Sequence, residues 1–148
     1  MKFCIGSNTK LFIATLMLKL AEMNILSLED SLHEWLPNFP NVNPNITIRQ
    51  LLNHTSGVYH YGNHQNYASF MNNDSGRFWQ PQEMLNTFDS AAYFSPGMGY
   101  HYSNTNYLLA GMIIKAAIDT LVSTRLRLYI INPLNLVSTF FPKEESVT

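Results

Sequence analysis

The chain is organised around the stretch Ile5-Gly6-Ser7-Asn8-Thr9-Lys10, which runs directly into the apolar residues 11–20. The pattern predicts a helix from Ser7 to about Met23 that is apolar on nearly every face, as is typical of a central helix. Residues three apart lie on one face of a helix, with Cβ atoms about 5–6 Å apart, so we expect Ser7 and Lys10 to meet. A serine hydroxyl is a weak nucleophile until a neighbouring base takes its proton, and a buried lysine can be that base. The alternative is an N-cap serine followed by an ordinary solvated lysine.

Composition indicates one globular domain and argues against several classes of function. The 148 residues are 46% apolar and 13% charged, which is enough for one packed core and too apolar for disorder. The net charge is −1 with no basic block, so nucleic-acid binding has no electrostatic footprint. The single cysteine, Cys4, excludes an internal disulfide and a cysteine-based zinc site.

Neither a signal peptide nor a membrane span is expected from the sequence. The residues before Ser7 are too few for a signal peptide. Only eight residues separate Lys10 from Lys19, far fewer than the ~20 needed to cross a bilayer.

Capping patterns predict two short helices after the first one. Asn24 can take the left-handed conformation that ends the first helix. Residues 27–30, Ser-Leu-Glu-Asp, resemble a capping pattern for a helix that runs through Trp35 and is stopped by Pro37. Thr47, with a glutamine three residues later, forms a second capping box ahead of an apolar face at Ile48, Leu51 and Leu52.

The remaining pattern predicts helices and loops with almost no strand. Residues 58–79 are polar and aromatic without a sustained period, which predicts a long loop. Ser95-Pro96-Gly97-Met98-Gly99 is a strong turn signal. Further helices are predicted over residues 81–88, 107–118 and 121–131.

Histidines and hydrolase motifs add little chemistry of their own. His60 and His64 have the i, i+4 spacing of a metal pair, but Gly62 between them argues against a helix and no third ligand is evident. His54 and His101 are expected to be hydrogen-bonded turn residues. No Gly-x-Ser-x-Gly elbow is present, which argues against an α/β-hydrolase.

Four stretches together resemble one known family. They are Ile5-Gly6-Ser7-Asn8-Thr9-Lys10, Ile48-Arg49-Gln50-Leu51-Leu52-Asn53-His54-Thr55-Ser56-Gly57, Ser95-Pro96-Gly97 and Tyr102-Ser103-Asn104-Thr105-Asn106-Tyr107. In order and spacing they resemble the serine β-lactamase-related family, which includes class C β-lactamases, D-alanyl-D-alanine carboxypeptidases and related esterases. The resemblance implies the α+β β-lactamase/transpeptidase-like fold. Residues 1–148 are expected to be a single partial domain, mainly the helical part, with most of the antiparallel sheet missing.

The resemblance also implies a role for each matching residue. Ser7 would be the acylated nucleophile of an S-x-x-K motif, with its backbone N–H as half of the oxyanion hole. Lys10 would activate it, and Tyr102 would be the general base or proton relay. Asn104 would hold both the amide of the substrate and the lysine, whereas residues 51–57 would be structural. The substrate would be a small molecule or peptide with an amide or ester bond (β-lactam, D-Ala-peptide or ester), and no metal or organic cofactor is needed.

The chain departs from the family pattern in ways that set the alternative hypothesis. No Lys-Thr-Gly or His-Thr-Gly follows Asn104, the strands ahead of the serine helix are missing, and residues 116–124 lack the usual turn glycine. We therefore expect the helical part of a larger enzyme, truncated at both ends and self-associating through exposed apolar surface. The alternative is a catalytically inactive remnant or binding module. The family implies a periplasmic or extracellular location, whereas the chain alone leaves the compartment open.

Overall fold

In the computed structural model, residues 3–141 and 144–145 are described, and this part of the chain is helical. Its α-helices are α1 (Thr9–Glu22), α2 (Leu32–Trp35), α3 (Ile48–Leu52), α4 (Tyr67–Asn73), α5 (Pro81–Thr87), α6 (Asn104–Ile118) and α7 (Val122–Leu126). Short 3₁₀ turns span Gly6–Asn8 and Tyr61–Asn63, and α7 continues into a π-helical turn over Arg127–Ile131. The described residues contain no extended strand, although an isolated antiparallel bridge joins Ser31 to Thr47.

The core forms where α1 packs against α6, with α3, α7 and the π-helical turn around them. Leu16, Met17 and Leu20 of α1 are fully buried, as are four apolar residues of α6. Each such side chain contributes roughly 1.5–3 kcal/mol when it leaves water. The helix α1 is central, as its apolar pattern predicts, but it is not covered all round: Leu11 is 70% exposed and Leu18 is 52% exposed.

The start of the first helix differs slightly from the prediction. Ser7 lies in the 3₁₀ turn Gly6–Asn8, and the α-helix begins at Thr9. At the other end Asn24 has φ 55, which confirms the predicted left-handed residue.

The predicted N-cap of α2 is wrong by four residues, whereas the predicted N-cap of α3 is confirmed. Ser27 forms a local turn in which its N–H donates to Asp30 Oδ2 at 2.9 Å. The capping box belongs to Ser31, whose N–H donates to Glu34 Oε1 at 2.6 Å. The bridge to Thr47 holds Ser31 in the extended conformation that an N-cap requires. Thr47 itself caps α3 through Gln50, as the sequence predicts.

The predicted loop over residues 58–79 is partly helical, because it contains a 3₁₀ turn and α4. Rings from α4 and its surroundings pack together: Phe88 lies 5.3 Å from Tyr67, 5.6 Å from Phe70 and 5.2 Å from Trp79 between ring centroids. Two residues of α4, Tyr67 and Phe70, thus pack against Phe88, which lies outside the segment. A period search over residues 58–79 alone does not detect this helix, because part of its apolar partner surface lies elsewhere in the chain.

Two helix ends in the C-terminal half also refine the prediction. The helix α6 begins at Asn104, three residues before the predicted start, with Ser103 in extended conformation at its N-cap. Between α6 and α7, where residues 116–124 contain no glycine, Asp119 takes the left-handed conformation (φ 46). Aspartate tolerates this region better than most residues.

No single helix in the described part of the chain has the length and hydropathy of a membrane span. Asn104–Ile118 together with Val122–Ile131 passes the same length and composition test as a pair bent by 83°.

The turn after α3 depends on a glycine in close contact with another loop. Gly57 has φ 77, and a Cβ there would lie 2.0 Å from the Phe94 carbonyl oxygen. Backbone contacts join the two segments, because the Tyr93 N–H donates to the Gly57 carbonyl at 2.8 Å. A side chain at this position would therefore push residues 93–94 away from the turn.

We expect Gly57→Ala to lower the free energy of unfolding by more than the ~1–2 kcal/mol of left-handed backbone strain alone. Gly111→Ala is the matched control, because its Cβ would meet nothing within 4 Å. In the interior of α6 the control should stabilise the chain by roughly 0.5–1 kcal/mol. Urea unfolding of both variants checks this, and a Gly57→Ala chain as stable as the wild type would contradict it.

Candidate active site

Ser7 is presented at the N-terminal end of α1 by the short 3₁₀ turn. Gly6 enters this turn with φ 53, and the Asn8 N–H closes it on the Ile5 carbonyl at 3.2 Å. Ser7 is exposed to solvent. The N-terminus of a helix carries partial positive charge, so negative charge that develops near Ser7 is favoured there.

Two side chains contact the Ser7 hydroxyl. Lys10 Nζ donates a hydrogen bond to Ser7 Oγ at 3.1 Å, and Tyr102 OH lies 2.8 Å from the same oxygen. Lys10 Nζ also lies 5.0 Å from the ring centroid of Tyr102 and 5.7 Å from that of Tyr107, within cation–π range. The structure thus brings Ser7, Lys10 and Tyr102 together in one contact.

The charge of Lys10 acts on the tyrosine. The pKa of Tyr102 lies below its ordinary value of 10.0, first because hydrogen bonding with Lys10 favours the phenolate and then because Ser7 does the same. Burial opposes this effect and the Lys10 charge adds to it. Because its pKa is lowered, a larger fraction of Tyr102 is phenolate at neutral pH, and the phenolate is the form that can accept a proton.

Asn104 is the first residue of α6 and follows Tyr102 by two residues. Its backbone N–H donates to His60 Nδ1 at 3.3 Å. Burial raises the pKa of the neighbouring Tyr61 phenol, and a hydrogen bond with the Asn104 side chain opposes that rise in part. The Asn104 Oδ1 atom is buried and has no hydrogen-bond partner among the described residues. Asn104 thus has a buried, unpaired acceptor, and in the described part of the chain none of its hydrogen bonds joins it to Ser7, Lys10 or Tyr102.

A buried polar network under Tyr102 was not recognised from sequence as part of the site. His54, Ser56 and Asn106 are 8%, 1% and 0% exposed, respectively. Ser56 Oγ donates to Asn106 Oδ1 at 2.5 Å, and Asn106 Nδ2 contacts His54 Nδ1 at 3.0 Å. The members lie about 50 residues apart, and only their joint presence in two of the family stretches could have indicated the pairing.

The histidines contact different partners and do not converge on one point. His54 has a left-handed backbone (φ 62) and hydrogen bonds, as expected of a turn residue. His60 accepts from Asn104, whereas His64 Nδ1 accepts from the Asn66 N–H at 3.3 Å. His101 stacks on Tyr93 with ring centroids 3.8 Å apart. In the described ranges no group of three or more His, Cys, Asp or Glu residues could hold a metal ion.

With this geometry in view, comparisons with known proteins define the family. The model of the β-lactamase family matches residues 1–148, and the chain belongs to that family. It is 40% identical over 118 residues to Penicillin-binding protein 4* of Bacillus subtilis (strain 168), an alignment covering 78% of this chain and 25% of that protein. The predicted family membership is confirmed.

Solved structures show the corresponding fold. The D-stereospecific amidohydrolase from Streptomyces sp. superposes with a TM-score of 0.90 at 32% identity over 99% of this chain and 46% of its own. The D-amino acid amidase from Ochrobactrum anthropi SV3 gives 0.83 at 33% identity, covering 99% of this chain and 43% of its own. The described residues thus match part of the β-lactamase/transpeptidase fold. The chain spans a quarter to just under half the length of these relatives.

We expect the phenol of Tyr102 to titrate below its ordinary value of 10.0 and Lys10→Met to raise it, because the variant removes the hydrogen bonding and charge that favour the phenolate. Lys19→Met is the matched control, since Lys19 pairs with Glu22 at the far end of α1. A ¹³Cζ-tyrosine NMR titration, assigned with Tyr102→Phe, measures the shift. Titration of Tyr102 at or above 10, or equal values in both lysine variants, would contradict the interpretation.

Proposed function

We propose that the chain carries the acyl-transfer site of a serine hydrolase that cleaves an amide or ester. One observation carries the proposal: a solvent-exposed serine oxygen lies 3.1 Å from a lysine nitrogen and 2.8 Å from a tyrosine hydroxyl. Nucleophile and base within about 2.6–3.2 Å is the arrangement that nucleophilic catalysis requires. The family membership of the chain supports the same assignment.

In the proposed reaction Ser7 Oγ attacks the carbonyl carbon of the substrate and forms a C–O bond. Its proton passes to the Tyr102 phenolate, which the adjacent Lys10 ammonium stabilises. The tetrahedral intermediate then expels the amine or alcohol, which takes that proton. Water attacks the Ser7 ester through the same base, releases the acid and restores the hydroxyl. A positioned general base of this kind typically contributes about 10²–10⁴-fold in rate.

Two further groups are assigned by the proposal to substrate binding. The backbone N–H of Ser7 would donate to the oxyanion, where the N-terminus of α1 adds favourable potential. The side chain of Asn104 would hydrogen-bond to an amide N–H of the substrate, which requires this side chain to rotate because its unpaired Oδ1 is buried. A buried acceptor without a partner costs about 1–3 kcal/mol, which a substrate amide would offset.

The names of similar proteins support a proposal for the substrate class. Two solved neighbours are a D-stereospecific amidohydrolase and a D-amino acid amidase, and the curated relative is a penicillin-binding protein. We propose amide or ester donors with a D-configured acyl group, and β-lactams as their cyclic analogues. On the 46% coverage of the amidohydrolase we also propose that these residues correspond to the helical part of the complete fold.

The proposal predicts covalent labelling at Ser7. The 148-residue chain is incubated with a fluorophosphonate and with a fluorescent penicillin, and adducts are read by gel fluorescence and peptide mapping. Ser7→Ala should abolish the label, whereas Ser75→Ala, an exposed serine between α4 and α5, should leave it unchanged. Tyr102→Phe should slow labelling by about 10²–10⁴-fold, the usual contribution of a general base.

Absence of Ser7-dependent label with both probes would contradict acyl transfer by this chain. It would favour the second candidate, a non-catalytic binding module, and equilibrium binding of a D-amino acid amide by calorimetry would then identify it.

We propose in addition that the chain self-associates through the uncovered face of α1. Leu11 and Leu18 lie seven residues apart on one side of that helix and are 70% and 52% exposed. Beside this face lies a recess of about 270 Å³, which is lined by Ala14, Leu18, Leu28, Arg49, Leu52, Asn53 and Tyr107. Exposed apolar surface of this kind is typical of association sites.

Analytical ultracentrifugation should show concentration-dependent association that Leu11→Glu weakens, because the variant places a charge on the exposed apolar face of α1. Leu134→Glu is the control, since Leu134 is similarly exposed (65%) and lies beyond the π-helical turn. A monodisperse monomer for the wild type at all concentrations would contradict self-association.

A further inference from the structure

The imidazole of His54 packs directly against the tyrosine of the candidate site. Its ring centroid lies 4.6 Å from that of Tyr102, with the planes tilted by 40°, and 5.4 Å from that of Tyr107. His54 is 8% exposed. Its backbone is left-handed (φ 62), which is uncommon for a residue other than glycine. The turn after α3 thus packs the imidazole ring against one face of the Tyr102 ring.

The backbone on both sides of Tyr102 is hydrogen-bonded to this one residue. The His101 N–H donates to the His54 carbonyl at 3.0 Å, and the Ser103 N–H donates to His54 Nδ1 at 3.3 Å. The residue between them therefore has its main chain held at two points and its ring held at a third. Together these contacts fix the direction in which the Tyr102 hydroxyl points.

A chain of hydrogen bonds determines where the proton of His54 resides. The Val58 N–H can only donate, and it donates to Ser56 Oγ at 3.1 Å. The Ser56 hydroxyl proton therefore goes to Asn106 Oδ1, at 2.5 Å, which orients the Asn106 NH₂ toward His54 Nδ1 at 3.0 Å. Nδ1 thus faces two N–H donors, this amide and the backbone N–H of Ser103, so it carries no proton and the neutral ring is protonated on Nε2.

We propose that His54 is a positioning residue of the Ser7 site. As a neutral imidazole protonated on Nε2, it binds the backbone on either side of Tyr102 and holds the tyrosine hydroxyl against Ser7. This role rests on the proposed function, since it matters for catalysis only where Ser7 is acylated. His54 itself touches neither the reacting oxygen nor the substrate and acts through Tyr102.

Protonation of His54 would disrupt this arrangement. A proton on Nδ1 would face two N–H donors, and the cation would lie near Lys10. The charged or titratable groups that face the ring are Lys10 of α1, Tyr100 and Tyr102 of the loop before α6, and Tyr107 of α6. Burial, and then the charge of Lys10, lowers the pKa of His54. The site should therefore lose activity at acid pH when the imidazole finally takes a proton.

The first test measures the tautomer and needs no activity. Long-range ¹H–¹⁵N NMR of the 148-residue chain should show, at neutral pH, an unprotonated Nδ1 and a protonated Nε2 for His54. A proton on Nδ1, or a cationic ring at neutral pH, would overturn the proposal.

The second test uses an isosteric substitution to replace the hydrogen-bond donor that faces His54 Nδ1 with an acceptor. In Asn106→Asp the carboxylate only accepts, so it draws a proton onto His54 Nδ1 and leaves the Ser103 N–H without its acceptor. We expect the ¹³Cζ signal of Tyr102 to shift and the acid limb of the pH profile of Ser7 phosphonylation to move toward neutral pH. The rate at pH 7 should fall about 10–100-fold, the cost of a misplacement on the order of 1 Å.

Asn86→Asp is the matched control, because it adds the same charge at an exposed position of α5, where Asn86 Oδ1 accepts from the Gln82 side chain. It should leave the tautomer, the Tyr102 signal and the pH profile unchanged. Ser56→Ala, which frees the Asn106 amide to rotate, is the milder variant if Asn106→Asp does not fold, and it should slow labelling by a smaller factor.

The two proposals fail in different ways. If neither the fluorophosphonate nor the penicillin labels Ser7 of the wild-type chain, the proposed function fails, and the Tyr102 signal still decides the role of His54. A folded Asn106→Asp or Ser56→Ala chain with an unchanged Tyr102 signal, or with an unchanged pH profile in a chain that is labelled, would overturn the positioning role.

Discussion

Buried hydrogen bonds between the turn after α3 and the first residues of α6 hold the site in place. Ser103 and Asn106 are fully buried, and both are bonded to His54. Because an unsatisfied buried polar group costs about 1–3 kcal/mol, the turn and the start of α6 form stably only together. The core contact between α1 and α6 then brings Ser7 to Tyr102 across 95 residues of sequence. The hydrogen bonds of Ser7 with Lys10 and Tyr102 thus depend on the buried contact between α1 and α6.

The chemistry of the trio follows from an uneven distribution of charge and solvent. Ser7 is exposed and free to meet a substrate, whereas Lys10 is partly covered by the rings of Tyr102 and Tyr107. A cation held there favours the phenolate over the phenol, so the group that we propose as acceptor of the serine proton is partly ionised before substrate binds. Asn104 adds an acceptor that no described residue satisfies. The contacts of Ser7, Lys10 and Tyr102 are therefore consistent with membership of the β-lactamase family.

Local rules were enough for the contact between Ser7 and Lys10 but not for the groups around it. The spacing of Ser7 and Lys10 predicts their contact, and the Thr47 box predicts the start of α3. Tyr102 and Asn104 came from the family resemblance, because nothing in their local pattern marks a site. The helix α4 was missed since Phe88, outside that segment, completes its aromatic cluster. The role of His54 was missed because it depends on a left-handed backbone and on a partner 52 residues away.

The central claim is that Lys10 and Tyr102 act on Ser7 as one proton-transfer unit. A double-mutant cycle of the Ser7 phosphonylation rate, with Lys10→Met, Tyr102→Phe and the double variant, tests it most directly. Groups that act as a unit show strongly non-additive effects. We expect the double variant to react no more than about 10-fold slower than the slower single variant. Rate losses that multiply, as for two independent side chains, would contradict the account.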